Sequence, residues 1–440
     1  MQRRTFLQTG ALAAASSWLV PHVHAVSSAD DAVAEDLPVA LIGVGYQGRA
    51  LLGAALNIPG VRVRAVCDIW NYAQNYGKKF LASRGQEATA YEDYREMLSK
   101  EQGLAAVLVA TPDFVHAEQT NACLEAGLHV YCEPMMANSL EAARSMIATM
   151  RRTGKLLQIG YQRRSNARYR HARERLLLEA KLPGRLTAAQ TQWAQEARDL
   201  RGWPKRFLMP ADALQRHQFE NMSQFRNWMW YPRYCGGPYC AFVSQQLDVC
   251  QWFLEASPRS VLASGGQDYF SDRPTPDTVL AVYEYPHGEG VVRVACSMYT
   301  STSGDGMRQY ERFLGTEGSL QLSENPRWTG VGRESSAPDW DAWVKKDYLV
   351  KQEVTAVHEA TSEDTDVHVS GDLEKYQLPM LNIVSNCQAH LENFVAAVRG
   401  KESLACPADA AWPSQVAAFK AMEALQAGAT VRLTEADFVC

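Results

Sequence analysis

Gly43-Val44-Gly45-Tyr46-Gln47-Gly48 sets three glycines where an apolar run, Val39–Ile42, gives way to a helical pattern containing Leu51, Leu52, Ala55 and Leu56. Glycines at this spacing permit a tight turn and let backbone N–H groups approach a phosphate at a helix N-terminus. A lone G-x-G-x-x-G is a weak signal, and its strand-to-helix context makes this one strong. The next apolar run, VRVRAVCD (61–68), ends in Asp68. An acid there meets the adenosine ribose of a dinucleotide and repels a 2′-phosphate, which favours NAD over NADP. Other residues with chemistry to offer are the acid of Glu133-Pro134-Met135, the cluster Tyr161-Gln162-Arg163 and Asp248. Arg163 has the bidentate fork to take a sugar hydroxyl or carboxylate; a place on a helix surface is the other reading. Asp248 is read either as a general base or as a structural hydrogen-bond acceptor.

Strands AAVLVATP (105–112), LHVYCEP (128–134) and KLLQIGYQ (155–162), separated by amphipathic stretches, continue the alternation begun at residue 38. Such alternation implies α/β structure with a doubly wound parallel sheet, here over residues 38–160. Thr111 and Pro112 end one strand, and Gln162 and Arg163 follow another, at the sheet edge where pockets form. Beyond it, TAAQTQWA (187–194), DTVLAVYEYP (277–286) and GVVRVACSM (290–298) alternate as half-buried strands do. Residues 333–375 are acidic and weakly patterned, as in a surface excursion, and no internal repeat is visible.

With 440 residues, 46% hydrophobic and 21% charged, the chain has room for two domains. A net charge of −5 gives no basic footprint for nucleic acid. Residues 1–25 read as an export signal: Arg3-Arg4, Phe6-Leu7, a short apolar stretch and small residues at Val23-His24-Ala25. The pattern resembles a twin-arginine signal, followed by a linker at 26–37, and the expected location is the periplasm. The signal is too short to span a bilayer. Of ten cysteines, Cys67, Cys132, Cys250 and Cys296 fall on apolar elements and are read as buried thiols. No cysteine or histidine spacing suggests a metal.

Taken together, GVGYQG, VCD, VLVATPDFVHAEQ (107–119), HVYCE (129–133), GYQRRSNARY (160–169), FRNWMWYPRYCGGP (225–238), LDVCQWFL (247–254), FLGTEGSLQL (313–322) and HLENFVAAVRG (390–400) resemble the Gfo/Idh/MocA family of sugar and polyol oxidoreductases. The resemblance implies an N-terminal NAD-binding domain. It also implies a C-terminal α/β domain, residues 161–440, with a large open, mainly antiparallel sheet whose outer face joins copies into a homo-oligomer. It places His116 near a nicotinamide and makes Thr111, Pro112 and Glu133 cofactor contacts. Members usually carry Glu-Lys-Pro at the 133 strand end, yet no lysine stands between Lys100 and Lys155, and Pro134 takes the lysine position. In GGPYCAFVSQQLDVCQW (236–252), Ala241, Val243 and Gln245 stand where the family has Asp, Gly and His; Asp248 alone matches. Gln245 can bond a sugar hydroxyl but does not titrate near neutral pH. One reading is an NAD-dependent oxidoreductase of a sugar or polyol using Asp248, Tyr161 or His116. A second is a non-catalytic member that binds cofactor, sugar or an active relative. A third is NAD-dependent glycoside cleavage.

Overall fold

The computed structural model describes residues 36–304, 306–352, 374–381 and 384–440. The expected signal and most of the linker lie outside them. In the first domain β1 (Leu37–Ile42), β2 (Val61–Cys67), β3 (Thr89–Tyr91), β4 (Ala106–Val109), β5 (His129–Cys132) and β6 (Leu157–Ile159) alternate with α1 (Tyr46–Leu56), α2 (Asn71–Ala82), α3 (Tyr94–Lys100), α4 (Asp113–Glu125) and α5 (Leu140–Thr153). The strands form one parallel sheet in the order β3-β2-β1-β4-β5-β6. The expected doubly wound sheet is thus present, with its direction reversal between β1 and β4. β1, β4 and β5 hold the middle of the sheet, where Ala40, Val107, Val109 and Val130 are wholly buried. Burying each such valine is worth about 1.5–3 kcal/mol, which is why these segments read as unbroken apolar runs.

The second sheet has ten strands in the order β14-β15-β13-β12-β11-β7-β10-β9-β8-β16. They are β7 (Leu186–Ala194), β8 (Ser260–Gly266), β9 (Thr278–His287), β10 (Gly290–Tyr299), β11 (Gln309–Gly315), β12 (Gly318–Leu322), β13 (Gly330–Arg333), β14 (Val350–Lys351), β15 (Glu374–Gln377) and β16 (Val431–Arg432). Only β7 and β10 run parallel. The three strands expected from alternation are β7, β9 and β10. Helices Gly237–Leu254 and Ala408–Ala427 pack together on one face of this sheet.

Two expectations need correction. Residues 333–375 are not merely an excursion: β14 and the start of β15 extend the sheet from β13, and Trp340 and Leu349 are buried against it. Short edge strands carry too few residues to show a period of two, and 353–373 lie outside the described residues. Nor is everything after residue 160 confined to the second domain. Leu391, Phe394 and Val395 join the core beneath β1 and α1. The Ile159 N–H donates to the Cys406 carbonyl (2.9 Å) and the Gln158 amide to that of His390 (2.9 Å). The chain returns to cover the first sheet, a contact too distant in sequence for any local pattern to reveal.

Candidate dinucleotide and substrate site

The turn between β1 and α1 depends on its glycines for two different reasons. Gly43 has φ +93°, and a Cβ there would stand 2.4 Å from the Ala110 carbonyl oxygen; on Gly48 it would stand 1.9 Å from that of Gly43. Gly45 has nothing within 4 Å of that point, so it leaves open space before α1. The α1 N-terminus has no side-chain cap and no acid in its first turn. Unpaired N–H groups and the positive end of the helix dipole therefore suit a pyrophosphate. Tyr46 is 82% exposed.

Asp68 turns its Oδ2 to the Val44 N–H (2.8 Å) and its Oδ1 to the Trp70 N–H (2.8 Å). It therefore braces the glycine turn, a duty not apparent from sequence. Burial raises its pKa and those two N–H groups oppose the rise.

Glu133, at the carboxyl end of β5, is 9% exposed. Its Oε1 accepts from Gln47 of the glycine turn (3.0 Å), from the Tyr131 hydroxyl (3.1 Å) and from Gln162 beyond β6 (3.4 Å). Its Oε2 accepts from no described residue. Burial pushes the carboxyl up to about 7 while the three donors pull it down. The packing is close enough to require Gly160, where a Cβ would stand 2.8 Å from the Tyr131 hydroxyl and 3.2 Å from the Glu133 carboxyl carbon. The structure thus gathers Gln47, Glu133 and Gln162, three of the expected residues, and adds Tyr131.

Other candidates are committed elsewhere. Asp248 is wholly buried and holds Arg164 in a bidentate pair (2.8 and 2.9 Å), so it is neither a free base nor a substrate ligand. Arg163 is 2% exposed and pairs with Glu311 and with Glu324 (3.0 Å); it is a core cation, not a sugar ligand. The tandem Arg163-Arg164 was the only sign of this, and sequence does not show which arginine turns inward. His116 is 1% exposed, with Nδ1 against the Met135 carbonyl and Nε2 against the Thr111 carbonyl, both at 2.8 Å. Both nitrogens serve backbone, so it locks the ends of β4 and β5 together rather than meeting substrate. Tyr161 is 1% exposed beside Ser244, and burial holds its hydroxyl proton well above the usual phenol range. Thr111 and Pro112 stay partly exposed at the sheet edge.

On the helix Gly237–Leu254, Ala241 is buried, whereas Phe242 and Gln245 are partly exposed on one face. Phe242 stacks on Trp193 with ring centroids 4.7 Å apart. Gln245 bonds to no described residue. Phe225 and Tyr234 pack with Phe219 in the core, which resolves the aromatics of 225–234 largely as packing.

A parallel sheet with an open glycine turn at its switch point, joined to a large mixed sheet, defines an NAD-binding oxidoreductase architecture. Residues 37–161 match the model of the oxidoreductase family, NAD-binding Rossmann fold, and residues 211–433 match that of its C-terminal alpha/beta domain. The chain belongs to the Gfo/Idh/MocA oxidoreductase family. It is 33% identical over 136 residues to inositol 2-dehydrogenase 1 of Saccharopolyspora erythraea, a stretch covering 30% of this chain and 38% of that relative. Among solved structures, the WlbA dehydrogenase of Bordetella pertussis in complex with NADH and UDP-GlcNAcA aligns with a TM-score of 0.66 at 16% identity, over 91% of this chain and 98% of that one. The aldose-aldose oxidoreductase of Caulobacter crescentus, complexed with glycerol, aligns with a TM-score of 0.66 at 17% identity, over 91% and 100%.

Proposed function

We propose that the chain is an NAD-dependent oxidoreductase of a sugar or polyol hydroxyl, with Glu133 as its proton acceptor. The glycine turn, Asp68 and Gln47 would hold the dinucleotide, which supplies a hydride acceptor when bound. The observation that carries this reading is Glu133 itself: three donors fix Oε1 while Oε2 remains free to take a hydroxyl proton. The carboxyl titrates near neutrality, where a general base works best. Similarity to inositol 2-dehydrogenase and to the aldose-aldose oxidoreductase supports a polyhydroxyl substrate, and the partly exposed Phe242 and Gln245 offer an apolar face and an amide to it. Denatured protein is expected to release NAD at about one per chain. Gly45→Ala should fold normally, since its Cβ meets open space, but release little nucleotide. Wild-type protein that neither releases nor binds NAD defeats the reading.

A second reading, a catalytically silent member that binds cofactor or sugar, is favoured by one observation. Asp248 is engaged by Arg164 and so is no free base, and the resemblance to the family implies that Pro134, Ala241 and Gln245 stand where a lysine, an aspartate and a histidine are usual. Sugar-dependent NADH formation that is lost in a Glu133 variant decides between them.

We further propose export by the twin-arginine route to the periplasm, on the Arg3-Arg4 pair and the apolar stretch after it. Changing both arginines to lysine should retain the precursor in the cytoplasm; unaltered delivery in fractionated cells refutes the route. A homo-oligomer through the open sheet completes the proposal. Leu262, Leu280 and Val282 are 49%, 48% and 42% exposed. Leu262 pairs with Val282 across β8 and β9, and Leu280 lies two residues along, on the same side. Contiguous apolar area of this kind marks an interface. Leu280→Lys with Val282→Lys should lower the mass measured by light scattering to that of one chain. A wild-type protein already at that mass removes the proposal.

A further inference from the structure

We propose that Arg49, Arg201 and Arg226 form an anion site that grips a phosphate group of the bound dinucleotide, two of the three guanidiniums coming from the segment between β7 and β8. The inference rests on the dinucleotide-binding reading above and goes beyond the glycine turn, because Arg201 and Arg226 lie outside the first domain.

Residues 203–234 reach back to the carboxyl ends of β2 and β4. The Trp70 indole N–H donates to the Phe207 carbonyl (2.7 Å), Tyr72 packs on Phe207 with centroids 4.8 Å apart, and Trp70 meets Phe225 edge-on at 5.8 Å. After β4, the Phe114 N–H donates to the Tyr234 carbonyl (3.1 Å) and the Phe114 ring meets Phe219 at 5.7 Å. The loops after β2 and β4 are therefore bridged by one aromatic strap. Those loops border the crevice in which such a sheet binds its ligand.

This strap carries cations to the glycine turn. Arg226 lies over the Trp70 ring at 5.0 Å and its Nε donates to the Gly202 carbonyl (3.4 Å). Arg201 is fixed beside it by Asn227, whose side chain accepts from the Arg201 N–H (2.7 Å) and donates to its carbonyl (3.1 Å). Arg49, in the first turn of α1, lies 3.7 Å from the Tyr76 ring, and its Nε donates to the Val44 carbonyl (3.1 Å). Among the described residues none of the three has a carboxylate within ion-pair distance. Burial, then the like charges of Arg201 and Arg49, lower the Arg226 pKa, and Asp68 and Tyr72 oppose them. Asp68 already gives one oxygen to Val44 and the other to Trp70. Three arginines, with the guanidiniums of Arg49 and Arg226 held on aromatic faces and none of the three paired with an acid among the described residues, leave a concentrated positive charge for a phosphate. The phosphate is either the pyrophosphate or one on the adenosine ribose, and the two sources are separable.

The test is titration of the mature wild-type protein, Arg201→Gln, Arg226→Gln and Arg226→Lys with NAD and with NADP, at low and high salt. Loss of one guanidinium contact is expected to weaken binding about tenfold or more, to flatten its salt dependence, and to be partly restored by lysine at 226. Weakening with both dinucleotides identifies the pyrophosphate; weakening with NADP alone identifies the ribose phosphate. Arg201 is exposed, so Arg201→Gln keeps the test valid if Arg226→Gln fails to fold. Variants that bind both dinucleotides as wild type does overturn this inference alone. Wild-type protein that binds neither overturns it together with the dinucleotide reading.

Discussion

Asp248→Ala lowers the unfolding free energy by about 3–5 kcal/mol, the cost of leaving a buried partner charge uncompensated. Arg164, only 12% exposed in its side chain, donates Nε and one terminal nitrogen to Asp248, which is itself fully buried. With Asp248 gone the guanidinium keeps one long contact, to the Ala410 carbonyl at 3.4 Å. Domains of ordinary stability have only about 5–15 kcal/mol in hand, so the variant should melt many degrees lower and express poorly. Replacing both residues by apolar ones of similar volume should recover much of the loss, because the pair itself contributes little beyond satisfying two charges. Chemical denaturation measures both effects. A cost below about 1 kcal/mol for Asp248→Ala, on the scale of an exposed pair, contradicts this account. The same measurement keeps lost activity in such a variant from being mistaken for loss of a catalytic base.

Glu133→Gln should reduce sugar oxidation by about 10²–10⁴-fold, the usual contribution of a positioned base, while NAD binding persists. In the wild type, turnover should rise with pH through about 7, as the carboxyl ionises. Stability runs the other way. The folded pKa is raised above the ordinary 4.5, so the neutral acid is the form the fold prefers. Its stabilising share is complete below about 4.5 and is lost as pH rises through about 7. Above pH 7 the ionised carboxyl therefore costs up to about 3 kcal/mol, and Glu133→Gln should be more stable than wild type there, with the difference vanishing near pH 4. Unchanged turnover and an unchanged pH profile in Glu133→Gln dismiss it as the base.

The doubly wound sheet was legible because each strand is buried on both faces and each turn carries its glycines or polar residues in sequence order. The glycine turn was legible for the same local reason. Long-range commitments were not. That Arg164, and not solvent, faces Asp248 depends on a partner 84 positions away in the chain. Arg163 looked like a surface or pocket arginine because its partners Glu311 and Glu324 sit on and beside a sheet formed later in the chain. His116 was legible as a residue near the sheet edge, but its two backbone partners appear only once β5 lies beside β4. Arg201 and Arg226 sit in a stretch without periodicity, so nothing local tied them to Trp70.

The strand end that holds Glu133 is fastened through main-chain atoms. His116 holds the Met135 carbonyl (2.8 Å), the Met136 N–H reaches Gln415 (3.1 Å), and the Gln415 amide reaches the Ala137 carbonyl (2.7 Å). None of these contacts consults the side chain at 134. Descent could therefore exchange the residue at that position without disturbing the path of the chain beneath it. The shape of the loop and the reactivity it carries are separately heritable, and a lineage can keep the first while trading the second.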